Sequence, residues 1–178
     1  KEKNDVQQLK ALVYMGNLTQ ENTEDGGIRH IQLLEKELTT AKQPARSLLY
    51  SMIGTAYWEY LQEHRWELYQ RTETSEKGKD IDTWNSTDLH NEITKNFLKS
   101  LEDKKALELA KLSTYDPLMI KGNKRNLRPS LYDIVAHAAL NYFINDEREL
   151  KKNASSFEIN DPVAFAPAPE FAKHKFII

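Results

Sequence analysis

Residues 44–71 read PARSLLYSMIGTAYWEYLQEHRWELYQR, and this stretch decides the fold. Its apolar residues recur every three or four positions, which is the spacing of one helix face. Trp58 and Trp66 widen that stripe beyond a third of the circumference, so the helix should contact neighbours on more than one side. The stretch therefore predicts one central helix that begins near Pro44, ends near Arg71 and is the most buried element of the protein.

Helical spacing continues on both sides of this central stretch. Before it we expect one helix over residues 5–22 and, after a turn at residues 24–27, a second that stops near Lys42. After it we expect a loop at residues 72–85 that Trp84 anchors, and then a fourth helix capped by Ser86, Thr87 or Asp88. A short helical piece should follow at residues 106–110, and a last helix should begin at residues 128–130. The predicted fold is all-α, an irregular antiparallel bundle of about five to six helices. Its hairpins are like those of helical repeats, but no segment repeats another.

The C-terminal part of the chain has a different composition. From Asn145 onward charge, Ser and Pro replace the helical period, while isolated apolar residues remain: Phe157, Ile159, Val163, Phe165 and Phe171. We therefore predict a helical domain over residues 1–145 and an extended arm over residues 146–178. The arm should pack on the bundle and lead into further chain, because residues 171–178 end in an apolar run.

Charge and composition exclude several classes of partner. The net charge is −2, with basic and acidic residues interspersed, so we expect no nucleic acid partner. With no Cys, the chain has no disulfide, thiolate metal site or Cys nucleophile. No apolar stretch approaches the roughly 20 residues that a membrane-spanning helix needs, so we expect no membrane insertion by this segment.

Candidate catalytic and metal-binding groups are few. Glu59, Glu63 and Glu67 are spaced by four near His64, a pattern more typical of a solvated, salt-bridged face than of a cation site. His137 has Asp133 one turn earlier, and a lone His is more often a hydrogen-bonded core residue than a base. No two His residues have metal-ligand spacing. We predict no catalytic, metal or cofactor site, and no enzyme.

Aromatic residues with polar ends are the one unusual concentration in the chain. Such rows are usually core, and they become docking surfaces only where several rings are exposed together. The candidate partner-docking residues are Trp58, Trp66, Tyr69, Arg71 and Trp84. If these rings are exposed, the chain could be a free-standing helical module that binds a peptide or glycan through an aromatic surface.

Several motifs resemble the N-terminal helical region of large alpha-2-macroglobulin-like proteins of Bacteroidetes-type bacteria. They occur in the same order: WELYQRTE at 66–73, DTW at 82–84, RPSLYDI at 128–134, AH at 136–137 and FEINDP at 157–162. The resemblance covers most of the chain.

The resemblance implies a cell-envelope protein, periplasmic or anchored at the outer membrane, of a family of protease traps. The thioester of such traps needs a Cys and a Gln, and this chain has no Cys. The resemblance therefore implies a non-catalytic scaffold or docking role. The implied partners are other domains of the same chain and a protein partner or protease in the envelope.

Overall fold

The computed structural model describes residues 5–23, 25–71, 78, 80–119, 125–145, 167 and 169, with backbone alone at residues 20–22. The chain divides into two units, residues 1–145 and residues 146–178. Apart from residues 167 and 169, the predicted extended arm lies outside the described residues, as do its five apolar residues and its packing on the bundle. The helical bundle lies in the first unit.

Helices account for nearly all of the regular structure in this unit. The α-helices are α1 (Asp5–Asn22), α2 (Gly26–Leu38), α3 (Ala45–Glu63), α4 (Arg65–Gln70), α5 (Ser86–Leu101), α6 (Lys104–Leu109) and α7 (Leu131–Phe143). Short 3-10 turns lie at Ile81–Thr83, Leu112–Leu118 and Arg125–Leu127. The described residues include no strand, and the predicted all-α bundle is confirmed. No helix within the described ranges has the length and apolar character needed to cross a bilayer.

The centre of the bundle is α3, as its wide apolar stripe predicts. It packs most extensively on α5, then on α2, and it also contacts α1, α4 and α7. Ile53 and Leu61 are 0% exposed. Phe97 of α5 lies against Gly54, where an added Cβ would come within 3.2 Å of the ring. A helix that packs on several sides needs apolar residues around most of its circumference, which explains the width of the stripe.

The predicted end of this central helix near Arg71 is wrong. It ends at Glu63, and α4 begins at Arg65 after a turn at His64, whose φ of −103° and ψ of 14° lie outside the helical region. The apolar spacing did not show the break because Leu61 and Leu68 are both buried on either side of it. The turn also separates Glu67 from the other two residues of the predicted carboxylate row, Glu59 and Glu63.

Two other helix ends differ from their predicted positions. Asn85 caps α5, not one of the three residues after it: its side chain accepts the backbone N–H of Asp88 at 2.9 Å, and the Asp88 carboxylate accepts that of Asn85 at 3.3 Å. Helix α2 ends at Leu38, four residues before Lys42, because the Thr39 backbone N–H and hydroxyl both bond to the Lys36 carbonyl. Local hydrogen bonds of polar side chains set both ends.

Gly16 lets α1 approach α2 closely. A Cβ at this position would overlap the imidazole of His30, whose two ring nitrogens are buried and have no hydrogen-bond partner among the described residues. We expect Gly16→Ala to destabilise the protein by about 1–2 kcal/mol, because the overlap outweighs the roughly 1 kcal/mol gain in helix propensity. In a His30→Ala background the same change should be stabilising. Urea denaturation followed by circular dichroism measures both, and an effect of the same sign in both backgrounds would contradict this packing.

Burial of His30 also predicts a pH dependence of stability. Desolvation lowers the pKa of this imidazole below its usual value. The unfolded chain therefore takes up a proton near pH 6.5 while the folded protein does not, so stability is lost as pH falls from about 6.5 through the folded-state pKa. We expect His30→Leu to lose less unfolding free energy between about pH 7 and pH 5 than the parent protein does. Equal losses in the two proteins would show that His30 titrates normally when folded.

Candidate functional site

Trp84 is a buried anchor. Its side chain is 6% exposed, its ring stacks on Tyr57 at a centroid distance of 5.8 Å, and its indole N–H donates to the Gly78 carbonyl at 2.7 Å. It thereby ties the described residues just before α5 to the central helix. A ring held in this way has no free face for a partner.

Arg71 is also engaged within the protein. Its Nη1 donates to the Trp84 carbonyl at 2.8 Å and to the Asp82 carbonyl, and its Nη2 donates to the Glu67 carboxylate. The hydrogen bond from Arg71 holds the pKa of the Glu67 carboxyl below its usual value. The guanidinium therefore connects the end of α4 to the segment that precedes α5.

The other three candidate docking residues lie in different environments. Trp58 is half-buried and meets Tyr142 of α7 edge-on at 5.4 Å. Tyr69 is half-buried, and its hydroxyl lies 3.5 Å from Nε2 of His90. Trp66 is 77% exposed, with the Arg65 guanidinium 5.6 Å from its ring centroid. The structure thus brings Arg71 and Trp84 together but does not place the five side chains on one exposed surface.

Asp133 is held by the cap of the helix that carries His137. Its carboxylate accepts the backbone N–H of Ser130 at 2.9 Å, and the Ser130 Oγ accepts the backbone N–H of Asp133 at 3.3 Å, which together form the capping box of α7. The Ser130 hydroxyl also donates to the Asp133 carboxylate at 2.7 Å. These hydrogen bonds lower the pKa of the Asp133 carboxyl. Within the described part of the chain, no three His, Asp or Glu side chains are grouped so as to hold a metal ion.

A cleft of about 530 Å³, called here the acidic cleft, opens beside Tyr57. Five carboxylates line it against two cations: Asp25, Glu35, Asp80, Asp82 and Glu92 against Arg29 and Lys95. The Tyr57 hydroxyl donates to Glu35 at 2.8 Å, and burial together with that carboxylate raises the pKa of Tyr57. The cleft therefore carries an excess of negative charge, and the largely buried rings of Tyr57 and Trp84 form part of its lining.

A second cleft, of about 620 Å³ and called here the basic cleft, lies beside Tyr50. Three cations line it: Lys42, Arg46 and Lys99, with Glu102 and Asp103 at one side. The Arg46 guanidinium and the Lys99 ammonium lie 5.9 Å and 5.4 Å from the Tyr50 ring centroid. Asp103 is engaged in capping α6, where its carboxylate accepts the backbone N–H of Ala106 at 3.1 Å. The cations are thus held near an aromatic face.

Sequence reasoning missed both clefts. Their charged residues come from α2, α3, α5 and the segments next to these helices, separated by up to about 70 positions in the chain. Only Trp84, which borders the acidic cleft, was among the predicted docking residues. The nearest signal in the sequence is the pair of acidic residues at positions 80 and 82. The sequence alone does not show that carboxylates from other parts of the chain lie beside them.

The described part of the chain is therefore an all-α helical bundle with charged surface clefts. A comparison of the chain with protein-family models, curated proteins and solved structures found no match.

Proposed function

We propose that the chain is a non-catalytic helical module of a larger alpha-2-macroglobulin-like cell-envelope protein, where it acts as a scaffold or docking domain. Its partners are other domains of the same chain, together with a protein partner or protease in the envelope. The motif resemblance at residues 66–73, 128–134 and 157–162 supports the family and the location in the periplasm or at the outer membrane. The position of exposed apolar residues supports the docking role.

That position is the observation that carries the proposal. Seven of the eleven large apolar side chains that are exposed in the described residues lie on the first helix or at the end of the last: Val13, Tyr14, Met15, Leu18, Leu140, Phe143 and Ile144. On α1, Tyr14 and Leu18 are one turn apart at 60% and 59% exposed, while Leu9 and Leu12 of the same helix are buried. Apolar stripes on a polar surface are typical of interfaces. Helices at the two ends of a module are where neighbouring domains would pack.

The complete open reading frame tests the family assignment. We expect a lipoprotein signal before Lys1 and a long, β-rich chain after Ile178, because the proposed parent protein is envelope-anchored and built largely of β-sandwich domains. A reading frame that stops close to Ile178 would refute the assignment.

The docking role is tested in the full-length protein. Tyr14→Glu with Leu18→Glu, and separately Leu140→Glu with Ile144→Glu, should speed limited proteolysis at the borders of the module, because a buried charge loosens an interface. Leu98→Glu with Leu109→Glu is the matched control, since these residues are 53% and 74% exposed but lie on neither face. Cleavage rates equal to those of the control would show that these faces do not dock against other domains.

The alternative function, a free-standing module that binds a peptide or glycan on an aromatic surface, needs several exposed rings side by side. Trp84 is buried and Trp58 is half-buried, which leaves Trp66 as the exposed member of the predicted tryptophans. The arrangement offers little support for this alternative.

A further inference from the structure

The basic cleft holds positive charges that no carboxylate neutralises. Elsewhere on the described surface basic side chains pair with acidic ones, as Arg71 does with Glu67 and Lys95 does with Glu92 at 2.9 Å. Three basic side chains that line the cleft make no such ion pair with a described residue: Lys42, Arg46 and Lys99. Their charges are therefore available to a ligand.

The two carboxylates beside the cleft do not compensate these charges. Asp103 accepts the backbone N–H of Ala106 at 3.1 Å as the cap of α6. Glu102 is exposed and makes no ion pair with a described residue. The first turn of α3, which carries Arg46, contains no acidic residue, although negative charge is favourable there. Within a chain of net charge −2, the cleft is thus a local excess of positive charge.

The ring of Tyr50 holds two of the cations. The Arg46 guanidinium and the Lys99 ammonium lie 5.9 Å and 5.4 Å from its centroid. An aromatic face attracts a cation without neutralising it, so both side chains are positioned but keep their charge. They come from α3 and α5, the two helices that pack most extensively on each other, and this packing sets the separation of the two backbones.

Gln43 adds an uncharged hydrogen-bond donor to the cleft. Its Oε1 accepts the backbone N–H of Ser47 at 3.3 Å and the Ser47 hydroxyl at 2.9 Å, which assigns the other end of the amide as the NH2 group. An amide NH2 can only donate, and this one makes no hydrogen bond with a described residue. The cleft therefore offers donors from three cations and one amide, a set suited to an oxyanion.

We propose that the basic cleft binds a phosphomonoester group, carried by a small soluble molecule or by a lipid headgroup. Such a group has a charge of about −1.5 to −2 near pH 7 and three strong acceptor oxygens. Three cations and one amide donor match that charge and that number of acceptors. The volume of about 620 Å³ lies within the range of small-molecule sites, about 300–1,000 Å³, so the rest of the molecule has space. The inference does not depend on the docking role proposed above.

Other anions match the cleft less well. A carboxylate has one charge and two oxygens, which Arg46 alone can satisfy in a bidentate pair, so both lysines would stay without a partner. An acidic peptide offers the same group. A nucleic acid carries one charge per phosphate along a polymer, and the neighbouring phosphates would be repelled by Glu102 and Asp103.

The experiment uses the whole chain, isotope-labelled, and follows its backbone amide NMR signals at constant ionic strength. Methyl phosphate is the soluble monoester probe, and dimethyl phosphate, acetate and end-capped tetraglutamate are the comparison probes. The cleft variant is Arg46→Gln with Lys99→Gln. Lys105→Gln with Lys111→Gln is the matched control, because both residues are exposed and outside the cleft. Circular dichroism confirms that each variant is folded.

We expect methyl phosphate to bind at least about fivefold more tightly than any comparison probe. The cleft variant should weaken its binding about tenfold, and the control should stay within about twofold of the parent protein. Equal affinity for methyl phosphate and tetraglutamate, normal binding by the cleft variant, or equal weakening in the control would each overturn the proposal.

Thermal unfolding gives a second readout. A ligand that binds only the folded state raises Tm by mass action, so inorganic phosphate should raise Tm of the parent protein more than that of the cleft variant. Phosphate also stabilises proteins generally because it is excluded from their surfaces, and this effect is common to both. Equal increases in Tm would show the general salt effect alone and refute the site.

Vesicles distinguish the two sources of the phosphate. Phosphatidic acid is a lipid phosphomonoester, so sedimentation with phosphatidylcholine vesicles that contain it, abolished in the cleft variant, would assign the site to a headgroup. Binding of methyl phosphate without sedimentation would assign it to a soluble molecule. Binding to neither probe would refute the proposal and leave the docking role, which rests on α1 and α7, unaffected.

Discussion

Phe97→Ala is expected to lower the free energy of unfolding by about 3–5 kcal/mol, the largest effect of any single substitution considered. The Phe97 side chain is 1% exposed, stacks on Tyr142 of α7 at 5.4 Å and fits against Gly54 of α3. Its removal would leave a cavity where three helices meet, because a glycine on the facing helix cannot fill the space. Urea denaturation at a temperature near maximum stability measures the change. Because folded domains are typically stable by about 5–15 kcal/mol, this loss would be a large part of the total.

Leu98→Ala is the control for this prediction. Leu98 is the next residue of α5 and is 53% exposed, so its truncation should change stability by no more than about 0.5 kcal/mol. The two substitutions share a helix and a change to Ala, and they differ in burial. Similar losses in the two variants would mean that helix propensity, and not the packing of Phe97, dominates the effect.

Trp84→Ala should have the second largest effect, a loss of about 3–4 kcal/mol, because its side chain is 6% exposed whereas that of Phe97 is 1% exposed. The substitution removes the stack on Tyr57 and the hydrogen bond from the indole N–H to Gly78, and it opens the floor of the acidic cleft. The segment before α5 would then keep the Arg71 hydrogen bonds to its backbone and the buried side chain of Ile81. Thermal or urea unfolding gives the size of the loss.

Trp66→Ala is the control for Trp84→Ala, because it removes a tryptophan from the surface and not from the core. The Trp66 side chain is 77% exposed, so its removal should change stability by no more than about 0.5 kcal/mol. Trp84 fluorescence should be shielded from an aqueous quencher, whereas Trp66 fluorescence should be quenched readily. A Trp66 variant as unstable as the Trp84 variant would contradict the assignment of one ring to the core and the other to the surface.

The fold class follows from local patterns in the sequence. The repeat of apolar residues every three or four positions identifies the helices, since burial of one face is the main reason a helix is stable. The width of the stripe at residues 44–71 correctly identifies α3 as the central helix. Residues 128–130, Arg-Pro-Ser, correctly predict the start of α7, because a helix start depends on residues within one turn; the structure adds that Ser130 forms a capping box with Asp133.

The break at His64 shows why some features of the fold could not be predicted from local sequence patterns. Leu61 and Leu68 keep a helical spacing across the turn, so the pattern is the same with or without the break. The aromatic residues raise the same difficulty. Trp66 and Trp84 are the same residue type in similarly polar surroundings, yet one is exposed and the other is stacked on Tyr57.

The sequence by itself determined that this protein is an all-α bundle around a central helix within residues 44–71, because the energies that select helices act over a few residues. Only the tertiary structure decided which aromatic rings are core and that carboxylates near residues 25, 35, 80 and 92 share a cleft. Contacts between distant residues depend on how the helices pack against one another. That packing is set by the summed burial and close fit of many side chains, such as Phe97 on Gly54, and no single local pattern encodes it.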